Sequence, residues 1–139
     1  DCHMSYGVSA ALQAAVFQHL SNDAPLAAIV GTHVYDALPA GTLPSLYVTL
    51  GPEVVKDQSG KTGAGALHEA TISVVTDVAG FAQAKSAAAA VSDALVDADL
   101  TLTRGQIVAL NFYKATAARV GTGDMRQINL VFRIHVADD

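Results

Sequence analysis

The chain has 139 residues, 51% of them hydrophobic, and its 8 Lys and Arg against 13 Asp and Glu give a formal charge of −5 at pH 7. That length supports one domain with a real core, while a small, scattered set of basic side chains argues against binding along DNA, which needs a concentrated basic surface. No apolar run reaches the roughly 18 residues of a membrane-spanning helix, and a single cysteine, Cys2, excludes an intrachain disulfide or a cysteine-based zinc site. So few cysteines suit a reducing cytoplasm. No basic-then-apolar signal segment leads the chain, and Asp1–His3 are expected to be an appended remnant ahead of Met4.

Ser9 to Leu20 predicts a first helix, because Leu12, Val16 and Leu20 recur one turn apart and Phe17 widens their stripe. Ser21-Asn22-Asp23 ends it. Asp23 is placed to cap a second, short helix, with Pro25 in its first turn, where a missing N–H does little harm. Leu26, Ile29 and Val30 form the apolar side, and Gly31 is a natural stop. Val34-Tyr35 begins an extended piece, and Pro39, Gly41 and Pro44 make 37–45 a loop. Leu46 to Leu50 is a short strand of aromatic, β-branched and aliphatic residues. Gly51 and Pro52 interrupt it, and Val54 and Val55 are candidates to resume pairing.

The next stretch, KDQSGKTGAGA from Lys56 to Ala66, has no large apolar side chain and reads as a mobile hairpin tip or long loop. Leu67 to Val75 is a strand with Ala70, Ile72 and Val74 on one side and Thr71, Ser73 and Val75 on the other. Phe81 to Asp97 carries the clearest helical pattern: Phe81, Ala84, Ala88, Val91 and Leu95 fall on one stripe, and the run Ala87 to Ala90 keeps it thin enough to lie close to a sheet. Asp77 is a candidate cap upstream.

Leu100 and Leu102 alternate as a short strand, and Arg104-Gly105 turns the chain. Gln106–Ala118 and Gln127–Val136 then read as two half-buried strands joined through Gly121 and Gly123, an antiparallel pair. In the last strand Ile128, Leu130, Phe132, Ile134 and Val136 face one way, and Gln127, Asn129, Val131, Arg133 and His135 the other. The order α-α-β-β-β-α-β-β-β is an α+β layout: a mainly antiparallel sheet flanked by helices, with the long helix of about 81–97 packed on it.

Chemistry-bearing patterns are sparse. His19, His33, His68 and His135 are isolated, without helical ligand spacing, and read as exposed or partner-facing. GKTGAG at 60–65 lacks the order of a phosphate loop and precedes a strand rather than a helix. There is no G-x-S-x-G elbow and no arranged Ser-His-Asp set. The reading therefore assigns no catalytic residue, cofactor or metal. What remains is surface suited to assembly: a mixed polar and apolar face on the last strand and the Gly-rich 56–66 segment.

The whole pattern resembles the tail completion, or tail terminator, proteins of long-tailed phages and phage-like gene transfer agents. The resemblance runs from about Ser9 to the end. It rests on ALQAAVFQHLSNDAPLAAIVG with its D-x-x-L-x-x-x-V-G step, on HVYDALPAGTLPSLYVTLGPEVV with its V-Y-D-x-x-P step, on KDQSGKTGAGALHEATISVVTDVAGFAQAK, and on the alternating INLVFRIHV. It implies a non-enzymatic structural protein, with residues 4–139 as one terminator-like domain. Such a protein forms a homo-hexameric ring that caps the tail tube, ends its growth and offers a docking face to the head connector. Many assembly proteins stay monomeric until they meet their template, so a monomer in solution is compatible with this reading. Tail tube protein and head–tail connector are the implied partners, and DNA passes through the lumen without specific binding. The implied location is the bacterial cytoplasm during assembly and then the head–tail junction of the particle, with no membrane association. By position, Lys56, Asp57 and Lys61 in the first Gly-rich segment, Arg119 and Arg126 in the second, and Arg133 and His135 on the wet strand face are the expected ring or tube contacts. Two other roles are open: a different connector or minor tail protein, or a small-molecule-binding or enzymatic α+β domain.

Overall fold

The computed structural model of the protein describes residues 7–58, 65–78, 80–96, 98–121, 123 and 125–137. The element order is α1 (Ser9–Ser21), α2 (Ala24–Val30), β1 (Val34–Tyr35), β2 (Leu46–Asp57), β3 (Gly65–Thr76), α3 (Ala82–Val96), β4 (Gln106–Arg119) and β5 (Arg126–Ala137). The strands form one sheet in the order β1-β2-β3-β5-β4. Only the β1–β2 pair is parallel; β2–β3, β3–β5 and β4–β5 are antiparallel. The fold is therefore α+β, with helices on one face of a mostly antiparallel sheet.

Local chemistry accounts for the helices. In α1, Leu12, Val16 and Leu20 are buried at four-residue spacing. Asp23 caps α2, its carboxylate accepting the Leu26 N–H at 3.1 Å, and Pro25 occupies the first turn. Gly31 ends that helix with φ 63°, a left-handed conformation open to glycine. In α3, Ala84, Ala87, Ala88, Ala90, Val91 and Leu95 are buried, so the alanine run does bring the helix close to the sheet. Asp77 does not cap α3. Its backbone N–H is bonded to Ser45 O, and the first helical turn is closed by the Lys85 N–H to Phe81 O.

The long strands differ from expectation at their ends. Gly51 and Pro52 do not end β2; they sit in a register shift between Leu50 and Glu53, after which Val54, Val55, Lys56 and Asp57 pair with Glu69, His68, Leu67 and Ala66. The outer residues of the expected 56–66 loop are thus strand, and Lys61 with the other residues of 59–64 lies outside the described part. No strand forms at Leu102. The residue instead packs on the core as a partly buried side chain, and the chain turns at Gly105, whose φ is +74° and where a Cβ would lie 2.7 Å from Ala137 O.

The core lies between the helices and the face formed by Val48, Ile72, Val74, Ile128, Leu130, Phe132, Ile134 and Val136. β5 follows the expected alternation, buried at every second residue. β4 does not. It is an edge strand, and from Asn111 to Val120 every residue is exposed. Helix α3 touches β3, β5 and β4 but leaves the far half of β4 uncovered.

Candidate functional site

Register fixes where each candidate residue sits. Gly65, Ala137 and Gln106 meet at one end of the sheet; Leu46, Thr76, Arg126 and Arg119 meet at the other. Lys56, Asp57 and His135 belong to the first end, Arg119 and Arg126 to the second. Nine residue steps along β5, from Arg126 to His135, separate them by about 30 Å at about 3.4 Å per residue. The described ends of the two Gly-rich segments therefore lie at opposite poles of the sheet, not in one patch.

At the second pole Arg119 and Arg126 face each other across β4 and β5. Each is held locally: the Arg126 guanidinium lies over the Phe81 ring at 5.6 Å and 3.5 Å from Val78 O, and Arg119 reaches Gly123 O. Arg133 lies between the poles on the face without helices. It donates to Glu69 Oε2 at 3.1 Å and stacks over the Tyr113 ring at 3.7 Å. His135 Nδ1 is 3.0 Å from Gln58 Oε1. The middle of this face is a neutral polar network: Ser73 Oγ donates to Asn129 Oδ1 at 2.7 Å, and Gln127 Nε2 donates to the same oxygen at 2.8 Å.

The histidines divide, and one corrects the expectation of exposure. His68 is fully buried. Position 68 shares strand parity with Ala70, Ile72 and Val74, so its side chain points into the core. Its Nδ1 lies 2.9 Å from Glu53 Oε2, and Ser9 Oγ donates to Glu53 Oε1 at 2.7 Å. A carboxylate only accepts, so it holds both donors and ties the start of α1 to β2 and β3. His68 Nε2 is buried without a hydrogen-bond partner among the described residues. Because Ser9 rests on the carboxylate and not on the imidazole, this trio lacks the hydroxyl–base contact of a nucleophilic relay. The parity signal was available in the sequence; the Glu53 partner, displaced by the Gly51-Pro52 shift, was not. His19 Nε2 is 2.8 Å from Ala94 O, and His33 is exposed beside Tyr35, with ring centroids 6.3 Å apart.

The surface relief is shallow. Between α1 and the β2 shift lies a cavity of about 40 Å³, bordered by Leu12, Val16, Leu50 and Ile72 with Glu53 at its rim, a space for water rather than a metabolite. A groove of about 260 Å³ runs between α3 and β4, floored by Ala88, Ala89, Ala115, Ala117 and Leu130, with Lys85 and Phe112 at its sides. Among the described residues no three His, Cys, Asp or Glu side chains form a metal-binding group, and no helix is long and apolar enough to cross a membrane. Tyr47 has its phenol pKa raised above the ordinary 10.0, first by burial and then by the neighbouring Tyr35. The two rings lie 6.0 Å apart.

The described surface is that of a helix-backed α+β sheet whose exposed features are edges, poles and a polar face. The chain belongs to the tail completion protein gp17 family, whose model matches residues 14–137. It is also similar to a chain in the solved virion of a native gene transfer agent particle, with 64% sequence identity and a TM-score of 0.91, covering 96% of this chain and 99% of that one. No curated protein matches the chain.

Proposed function

We propose that the protein is a structural component of a phage-like particle that caps the tail tube as a closed ring, ends tail growth and offers the docking face for the head connector. The observation that carries this reading is the near end-to-end similarity to a chain of a gene transfer agent virion, joined to the family match. The geometry fits a cap with two neighbours. A ring between tube and connector needs two opposed binding faces, and the Lys56–Asp57 pole and the Arg119–Arg126 pole lie at opposite ends of the strands. With strands along the ring axis, one pole meets the tube and the other the connector. His135 then lies at the first pole, and Arg133 and the neutral network between the poles lie along the wall. Lys61 belongs to this proposal from its sequence position next to the first pole.

The test is electron microscopy of particles from a producer lacking this gene. Overlong or ragged tails unjoined to heads are the expected result. Tails of correct length without heads would move the protein to the connector. Finished tails joined to heads would overturn the structural role and return attention to an enzymatic or ligand-binding domain.

A further inference from the structure

Two rows of side chains cross the sheet face that carries no helix. Thr71, Val131 and Lys114 stand opposite one another on β3, β5 and β4, and Ser73, Asn129 and Thr116 form the next row. With Pro52 at the β2 register shift and Gln127 behind, they surround a depression of about 330 Å³. Lys114 reaches this face through the second register shift of β4. Phe112 pairs with Phe132 on the core side and Lys114 with Val131, so Tyr113 is the extra residue between them. Strict alternation would turn Lys114 toward the helices.

The floor of the depression is fixed. Ser73 is 4% exposed, and its hydroxyl and Gln127 Nε2 both donate to Asn129 Oδ1. Two donors on one oxygen set the orientation of the amide. Asn129 Nδ2 is turned the other way and has no partner among the described residues. The Thr71 and Thr116 hydroxyls are likewise uncommitted among the described residues. No carboxylate lines the depression. The Lys114 ammonium lies 5.9 Å from the Tyr113 ring centroid and forms no salt bridge among the described residues. Arg133, the next cation along this face, is already held by Glu69 at 3.1 Å.

We infer that this depression is a carboxylate site, which takes one Asp or Glu side chain of a neighbouring protein in the particle. Lys114 supplies the counter-charge, and Asn129 Nδ2 and the two threonine hydroxyls supply hydrogen bonds. The identity of the partner rests on the particle reading above; the chemistry of the site does not. Charge selects the ligand. A DNA backbone brings one phosphate after another and needs a row of free cations. The depression offers one, which matches a single carboxylate.

The first test titrates the purified full chain, labelled with nitrogen-15, with sodium acetate against sodium chloride at equal ionic strength. Saturable shifts of the Asn129 side-chain amide with acetate alone, lost in Lys114→Gln, are the expected result. No saturable shift, or the same shift in Lys114→Gln, would overturn the site. The second test treats assembled particles with a water-soluble carbodiimide, which joins an amine to a carboxylate in contact with it. Mass spectrometry should find Lys114 linked to an Asp or Glu of a neighbouring particle protein. Lys114→Glu should lower particle yield about tenfold with an unchanged melting curve, and Lys114→Arg should restore it. Acetate binding without a Lys114 link in the particles would overturn the protein partner. A formaldehyde link from Lys114 to packaged DNA would overturn it in favour of the nucleic acid. Particles lacking this chain would overturn the structural role and the partner together, whatever acetate shows.

Discussion

Strands β4 and β5 are neighbours that both read from sequence as half-buried strands, yet they have different fates. On β5, Phe132 is 1% exposed; across the ladder on the same face, Phe112 is 45% exposed. Their rings meet edge to face at 5.9 Å, so Phe132 is buried partly by Phe112, while Phe112 has only solvent beyond it. The difference is coverage. Helix α3 lies over β3 and β5 and reaches only one side of β4. An alternating pattern states that one strand face is to be buried; it does not state whether the same chain or another one buries it.

Substitutions sharpen that contrast. Phe132→Ala should cost about 3–5 kcal/mol by emptying a packed site, whereas Phe112→Ala should cost about 1 kcal/mol, since much of its ring is already in water. Urea unfolding of both variants measures the gap, and equal losses would show that the far half of β4 is covered in the isolated chain. Next in size is the tie between α1 and the sheet. Glu53→Ala removes the acceptor of Ser9 and His68 and leaves a fully buried imidazole without a partner, which should destabilise the fold by about 2–3 kcal/mol. The same unfolding experiment reads it, and a loss under half a kcal/mol would show that water replaces the carboxylate.

The smallest effect concerns pH at the other edge. Burial raises the Tyr47 phenol pKa above that of the unfolded chain, so the folded state keeps its proton longer as pH rises. The stability this group contributes is complete below about 10 and is lost as pH climbs through the raised folded value. Tyr47→Phe should flatten the alkaline limb of stability against pH. An identical limb in the variant would assign the loss to other groups.

Much of the architecture was legible in the chain itself. The Leu12-Val16-Leu20 stripe, the Asp23 cap with Pro25 and the Gly31 stop specify α1 and α2 through contacts within a few residues. The alternation of β5 named its buried residues, and the α3 stripe named Ala84, Ala88, Val91 and Leu95, while Phe81 is only partly buried and Ala87 and Ala90 join the buried face. The family likeness too was carried by local steps such as D-x-x-L-x-x-x-V-G. Nonlocal pairing was harder to read. The resumed pairing at Val54 and Val55 was readable, but Lys56 and Asp57 looked like loop because nothing local showed that the strand runs on into the Gly-rich stretch, and Leu102 looked like strand because alternation over three residues carries no pairing partner. His68 needed its strand parity and a carboxylate 15 residues away.

The sequence by itself determined the three helices, the stop at Gly31, the two faces of β5 and the acidic charge, because these depend on spacing, capping and composition. Only the tertiary structure decided that the described ends of the two Gly-rich segments are opposite poles and that β4 is a half-covered edge. Strand order and register set those relations, and they arise from pairings between residues far apart in the chain.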